Sequence, residues 1–172
     1  MPDRKVLLVI DLQNDYLWEK RKSLFSFDTD TLIRNVNQAI NSYKENGYDI
    51  VYIMHVYPNN AFIRRIVGFS VKGTEGAELY SELKVVSDLH FEKNRSNSYT
   101  SESFREYMEK QQYQEIVICG IDECGCVGAT AKGAVKTGAE VLMLERAIGC
   151  RFPEKKRRKM RETLTSMGAK YI

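Results

Sequence analysis

The stretch Leu7–Tyr16 reads LLVIDLQNDY, and its counterpart Ile116–Ala131 reads IVICGIDECGCVGATA. In the first, the apolar run Val6–Ile10 is continuous rather than alternating and stops at Asp11. A strand apolar on both faces belongs in a parallel sheet with helices on both sides. In the second, a similar run ends at Gly120, and a polar turn leads into a helical pattern that opens at Cys126. Two buried strands, each followed at once by a chemistry-bearing residue, point to one carboxyl edge of an open α/β sheet. Such folds hold their ligands at that edge.

Outward from these anchors the chain alternates in period. Lys5–Ile10 is expected as a strand. Asp30–Asn46 is expected as a helix, with Leu32, Ile33, Val36, Ala39, Ile40 and Tyr43 inward and Gly47 as its stop. Ile50–His55 reads as the next strand, and Pro58–Gly76 as a long irregular loop of the kind that often carries function. Leu89–Glu92 is a short strand ending at Lys93, and Ser101–Gln111 a helix. Ile116–Cys119 is a strand, Cys126–Thr137 a helix closed by Gly138, and Val141–Leu144 a strand. Pro153 suits the first turn of a helix reaching Met167, and Lys170–Ile172 is a last edge strand. With right-handed crossovers, this order predicts a three-layer α/β/α architecture around a mostly parallel six-stranded sheet. The whole chain, 1–172, is expected to form one Rossmann-like domain.

Composition narrows the function classes. A formal charge of +3 makes no electrostatic case for nucleic acid or a membrane surface. No apolar run approaches the roughly 20 residues of a spanning helix. The N-terminal MPDRK runs directly into a strand, without a signal-peptide core. The four cysteines sit at strands and helix starts, which suits reduced thiols and a cytoplasmic location.

The chemistry-bearing residues are Asp11, Lys93 and Cys126. A thiol at a helix N-terminus meets free N–H groups and the positive dipole end, which favour a thiolate. Asp11 would serve as base, and Lys93 as the cation that stabilises both ionised partners. Taken singly, each has a plain structural reading: a small buried cysteine, a turn aspartate, an exposed lysine.

Taken together, LLVIDLQNDY, KGTEGAEL (Lys72–Leu79), EKNRSNSY (Glu92–Tyr99) and GIDECGCVGATAKGAVKTGAEVLML (Gly120–Leu144) resemble the isochorismatase-like cysteine hydrolases. The resemblance runs in order over nearly the whole chain. It implies the isochorismatase-like fold, an Asp11–Lys93–Cys126 catalytic set and a cis peptide at Ile121–Asp122. The turn there, with the Cys126 amide, would form an oxyanion hole. It further implies hydrolysis of a C–N bond in a small amide or carbamoyl compound through an acyl-thioester, with no organic cofactor, in a homo-oligomer. Metal-bearing nicotinamidases of the family carry an Asp-x-His string and a further histidine. Here the corresponding region reads IMHVYPNN (Ile53–Asn60), and the chain has only His55 and His90, so no metal is expected.

Gln13, Tyr16, Trp18, His55, Phe62 and Tyr99 are candidate substrate contacts, and Arg64 or Arg65 a candidate partner for a substrate carboxylate. The basic run Lys155–Lys159 with Arg161 is read as a solvated helix face rather than a nucleic-acid patch. A Cys124-x-Cys126 metal site lacks a second ligand pair, and Cys119 and Cys150 read as structural thiols. The rival functions are vinyl-ether hydrolysis of the isochorismatase type, a non-catalytic scaffold for assembly or regulation, and a redox role for Cys124 and Cys126.

Overall fold

The computed structural model describes residues 4–172. Met1–Asp3, the start of the N-terminal segment discussed above, lie outside them. Six strands form one sheet: β1 (Lys5–Ile10), β2 (Asp49–His55), β3 (His90–Lys93), β4 (Glu115–Gly120), β5 (Glu140–Ile148) and β6 (Lys170–Tyr171). Their order is β3-β2-β1-β4-β5-β6. All five pairings are parallel, so "mostly parallel" understates the sheet. The chain builds outward from β1 to β3, then crosses back to lay β4 against the other side of β1. The ends of β1 and β4 flank that reversal, where open α/β sheets carry their crevice.

The alternation of the pleat explains the continuous apolar runs. Leu7 and Val9 face one side, where Leu32, Ile33, Val36, Ala39 and Ile40 of α2 (Thr29–Glu45) cover them. Val6, Leu8 and Ile10 face the other. There they meet Phe104 and Met108 of α4 (Glu102–Gln111), Val127, Ala131 and Ala134 of α5 (Cys126–Val135), and Leu164 of α6 (Glu154–Ser166). The sheet is therefore buried on both faces, as the sequence pattern demands.

Most element ends fall within a few residues of expectation. Three segments differ more. The presumed loop Pro58–Gly76 contains a short helix, α3 (Ala61–Ile66), capped by Asn60 through a hydrogen bond from the Ile63 amide. None of its residues is buried, and Ala61, Phe62 and Ile66 are exposed, so no inward apolar face announces it. A one-turn helix, α1 (Asn14–Leu17), likewise follows β1. β5 runs four residues past Leu144, because an irregularity between Ile118 and Gly120 shifts its pairing with β4 and extends the contact to Ile148. No helix among the described residues is long and apolar enough to cross a membrane.

Gly120 closes β4 at φ +113°, and a Cβ there would lie 2.1 Å from the Ile10 carbonyl oxygen. The central strands approach so closely only because this residue has no side chain. Gly120→Ala should therefore destabilise the fold by about 3 kcal/mol or more, through both the clash and the left-handed backbone. Urea unfolding checks this; a midpoint unchanged from wild type would show that the β1–β4 ends are not so constrained.

Candidate active site

Four neighbouring strand ends each deliver one side chain to the same place. β1 ends at Asp11, whose φ of +55° turns the chain out of the sheet while its amide still donates to the Ile53 carbonyl, 2.8 Å away. β2 ends at His55, and β3 at Lys93, its register partner. The Lys93 ammonium donates to Asp11 Oδ2 at 3.0 Å and to His55 Nδ1 at 3.1 Å, and all three residues are buried. Because Nδ1 accepts from an ammonium, the His55 ring proton sits on Nε2. That atom and Asp11 Oδ1 have no partner among the described residues. Gln13, wholly buried, bonds the His55 amide and carbonyl and also the Ala77 carbonyl, and so ties the second strand end to the loop above.

Cys126 enters from the turn after β4, as the first residue of α5. Its sulfur is 3.8 Å from His55 Nδ1, and ligand atoms of Asp11, His55 and Cys126 all lie within 4.8 Å of one another. The Ile121–Asp122 peptide is cis. Around it nearly every amide is taken: Glu123 donates to the Gly149 carbonyl, Cys124 to Asp122 Oδ1, and Gly125 and Val127 to the Asp122 carbonyl. The amides of Asp122 and Cys126 donate to no acceptor among the described residues. Those two N–H groups are what the turn leaves for a ligand oxygen.

Burial sets the protonation states. It lowers His55 to about 4, helped by the Lys93 charge, so the imidazole is neutral near pH 7. Burial works against the charge of Lys93, but the Asp11 carboxylate and Cys126 sulfur outweigh it and hold its pKa above the ordinary lysine value. The Cys126 thiol is pushed up to about 12, first by burial and then by Asp11, with Lys93 pulling the other way. The helix start does not make a resting thiolate, contrary to the expectation from helix position alone. Desolvation and a neighbouring carboxylate outweigh half a unit of dipole charge.

A second charge cluster supports the turn from behind. Glu123, with no solvent exposure, receives hydrogen bonds from Arg157 and Arg161 of α6; the Arg161 Nε bond to Oε1 is 2.7 Å. Two members of the basic run are thus turned inward. The solvated-face reading holds for Lys155, Lys156, Arg158 and Lys159 but not for this pair. The spacing of four between Arg157 and Arg161, on one helix face, was the available signal.

The cavity above Cys126 has a volume of about 200 Å³. Of the six candidate contacts, Tyr16 and His55 line it. Gln13 sits behind it as a strand tie. Trp18 and Arg64 line a separate hollow with Asp15 and Phe69, because α1 turns the indole away from the sheet edge. Phe62 is 69% exposed on α3, with Arg65 also at the surface. Tyr99 packs against Phe104 and Gly133 and opens on the far side of α4 and α5. Phe25, Phe27, Tyr57, Phe69, Arg151 and Phe152 line the cavity without having been singled out. The guanidinium of Arg151 lies 4.3 Å over the Phe152 ring and 3.6 Å from the Asp122 carboxylate. Its signal, an arginine directly after the Gly149–Cys150 turn of β5, is weak without the fold.

Asp11, His55 and Cys126 are spaced as metal ligands are, yet the set does not suit a metal cation. The Lys93 ammonium already bonds both Asp11 and His55, so a divalent ion would face a fixed positive charge in contact with two of its three donors. Tyr57 packs on His55, 4.5 Å ring to ring, and adds no imidazole to the set.

These assignments have opposite signatures in Cys126 alkylation, followed by peptide mass against pH. In wild type the rate should keep climbing into strongly alkaline solution, since the thiol titrates near 12. Lys93→Met removes the cation that favours the thiolate and should shift the profile to higher pH. Asp11→Asn removes the opposing anion and should shift it lower. Three superimposed profiles would mean that the residues do not share a site.

Residues 5–172 match the isochorismatase domain family. An uncharacterised isochorismatase family protein of Bacillus subtilis (strain 168), YddQ, is 25% identical over 142 residues, covering 82% of this chain and 75% of that protein. An Arabidopsis thaliana protein described as a "probable inactive nicotinamidase" is 23% identical over 141 residues, covering 75% of this chain and 71% of its own. Among solved structures, pyrazinamidase of Pyrococcus horikoshii, determined in complex with zinc, superposes with a TM-score of 0.84 at 25% identity, covering 98% of each chain. The family match over nearly the whole length, on the same six-stranded parallel sheet, makes this chain a member of the isochorismatase family.

Proposed function

We propose that this protein is a metal-independent cysteine hydrolase that cleaves the C–N bond of a small amide or carbamoyl compound through an acyl-thioester on Cys126. The observation that carries the reading is the row Lys93–His55–Asp11–Cys126 beneath a cavity of about 200 Å³, beside two unclaimed amides. The free Asp11 Oδ1 takes the thiol proton as the sulfur attacks the carbonyl carbon. A resting thiol is suited to this step, because the proton is handed over only when a substrate is present. The carbonyl oxygen gains negative charge and is met by the N–H groups of Asp122 and Cys126. Asp11 then gives the proton to the leaving nitrogen, the C–N bond breaks, and an amine or ammonia departs. Water attacks the thioester with Asp11 as base, releasing the acid and restoring the thiol. Lys93 remains an ammonium throughout and fixes the Asp11 carboxylate; neutral His55 accepts a second hydrogen bond from the ammonium beside the pair.

The aromatic walls and modest volume favour a small, planar substrate, and Arg151 at the rim adds a cation for an acidic one. A vinyl ether offers no carbonyl to the sulfur, so isochorismatase-type chemistry would leave Cys126 without a task. A non-catalytic role is the second reading, favoured by the inert resting thiol and by the relative described as inactive. An intact, buried ion pair aimed at an open cavity weighs against it, because a scaffold has no need to bury two charges there.

Ammonia release from a panel of small amides tests the reading. Cys126→Ala should abolish turnover with the fold retained, since alanine suits a helix start. Near-normal turnover in that variant would sink the thioester route. Exhaustive chelation should leave the wild-type rate unchanged, because an ammonium stands at the centre of the only histidine-bearing ligand group among the described residues. Loss of turnover on chelation, with recovery on metal return, would overturn metal independence.

A further inference from the structure

Of the three cysteines that have no part in the reaction above, the fold brings two together from separate loops. Cys150 Sγ lies 3.7 Å from Cys124 Sγ, and both residues are half-buried rather than sealed in the core. The backbones that carry them run side by side. Glu123 donates to the Gly149 carbonyl and Gly149 to the Gly120 carbonyl, each at 3.0 Å, and the Arg151 amide donates to Asp122 Oδ2 at 3.0 Å. The loop after β4 and the loop after β5 are thus laced together on both sides of the thiol pair. A disulfide needs the sulfurs about 2.05 Å apart, a closure of less than 2 Å from 3.7 Å that rotation of two side chains can supply.

A metal is the other ligand a pair of thiols invites, and Asp122 lies within 4.8 Å of both. Its carboxylate is already committed: Oδ1 accepts from the Cys124 amide and Oδ2 from the Arg151 amide, with the Arg151 guanidinium beside it. Two thiols alone make a poor structural metal site. Redox chemistry is what remains for them.

We propose that Cys124 and Cys150 are a modification site: they form a reversible disulfide with each other by exchange with a low-molecular-weight disulfide of the glutathione type, and this bond shuts the active site. One protein sulfur attacks the small disulfide and expels one thiol; the second protein sulfur attacks the mixed disulfide and expels the other. The two protein S–H protons end on the two released thiols, and the small disulfide is reduced by two electrons. Burial and the neighbouring sulfur push Cys124 up to about 12, so the exchange is slow at neutral pH and faster in alkali.

The effect on activity rests on the hydrolase reading and follows from what flanks each sulfur. Cys124 lies between the two unclaimed amides, those of Asp122 and Cys126. Cys150 precedes Arg151 and Phe152, which form one wall of the cavity. Pulling the sulfurs together moves the amide pair relative to that wall. Displacements of that order at a reacting centre cost about tenfold or more in rate.

The test incubates the purified full chain with oxidised glutathione in mildly alkaline buffer, then reads intact mass, fragment ions and turnover. The expected product has lost two hydrogens, carries no added glutathione, links the Cys150 peptide to Cys124, and has kcat/KM reduced at least about tenfold. Dithiothreitol should restore both mass and turnover. Cys150→Ser should keep the basal turnover and lose its sensitivity to the oxidant. Free thiols at saturating oxidised glutathione, or a link to Cys126 instead, would overturn the site. A Cys124–Cys150 link that leaves turnover intact would overturn the switch. If no amide is hydrolysed in any state, the hydrolase reading fails, while the mass and fragment ions still decide whether the bond forms.

Discussion

The ion pair between Lys93 and Asp11 is the interaction on which the site is organised. Both groups are buried, and neither is tolerable there alone: stripping one partner from such a pair typically costs about 3–5 kcal/mol. The pair is not between adjacent strands. β2 separates β1 from β3, and His55 of β2 occupies the gap, within 3.1 Å of the ammonium. The contact therefore requires three strands in register, with β1 turned aside at Asp11 by its left-handed backbone. A slip of one residue in β3 would send Lys93 to the opposite face and leave Asp11 uncompensated.

That arrangement also divides labour among the titrating groups. The positive charge is held by Lys93, the imidazole is neutral, and the sulfur keeps its proton at rest. Low dielectric surroundings produce all three effects, because each removes charge except where an opposite charge is in contact. A reactive thiolate held permanently in a cavity would meet every passing electrophile and oxidant. A thiol that keeps its proton at rest does not.

The turn bearing Cys126 depends on a separate cluster. Glu123, Arg157 and Arg161 join the turn to α6, and Arg161 continues outward to Glu145 of β5. The close approach of β1 and β4 at Gly120 sets the turn from below. The loop after β5 sets it from the side through Gly149 and Arg151. The amides of Asp122 and Cys126 are thus held from three directions.

The sequence by itself determined the order of elements and the parallel sheet, whereas Asp11, Lys93 and Cys126 stood out together only through the family resemblance of the strings that carry them. Those properties are local: continuous apolar runs, helical periods and the residue that ends each run are written in consecutive positions. The short α3, none of whose residues is buried, and the extension of β5, which depends on how β4 bends beside it, left no such mark. Tertiary structure alone decided that Tyr16 reaches the cavity while Trp18, two residues on, does not. It likewise assigned Phe27, Arg151 and Phe152 to the cavity, turned Arg157 and Arg161 inward, and paired Cys124 with Cys150 rather than with Cys126. The same holds for the protonation of Cys126: helix position argues for a thiolate, and the thiol persists because burial and the carboxylate of a strand over a hundred residues away in sequence outweigh the dipole. Direction of a side chain and its dielectric surroundings are properties of what packs against it, and the residues that pack here come from every part of the chain.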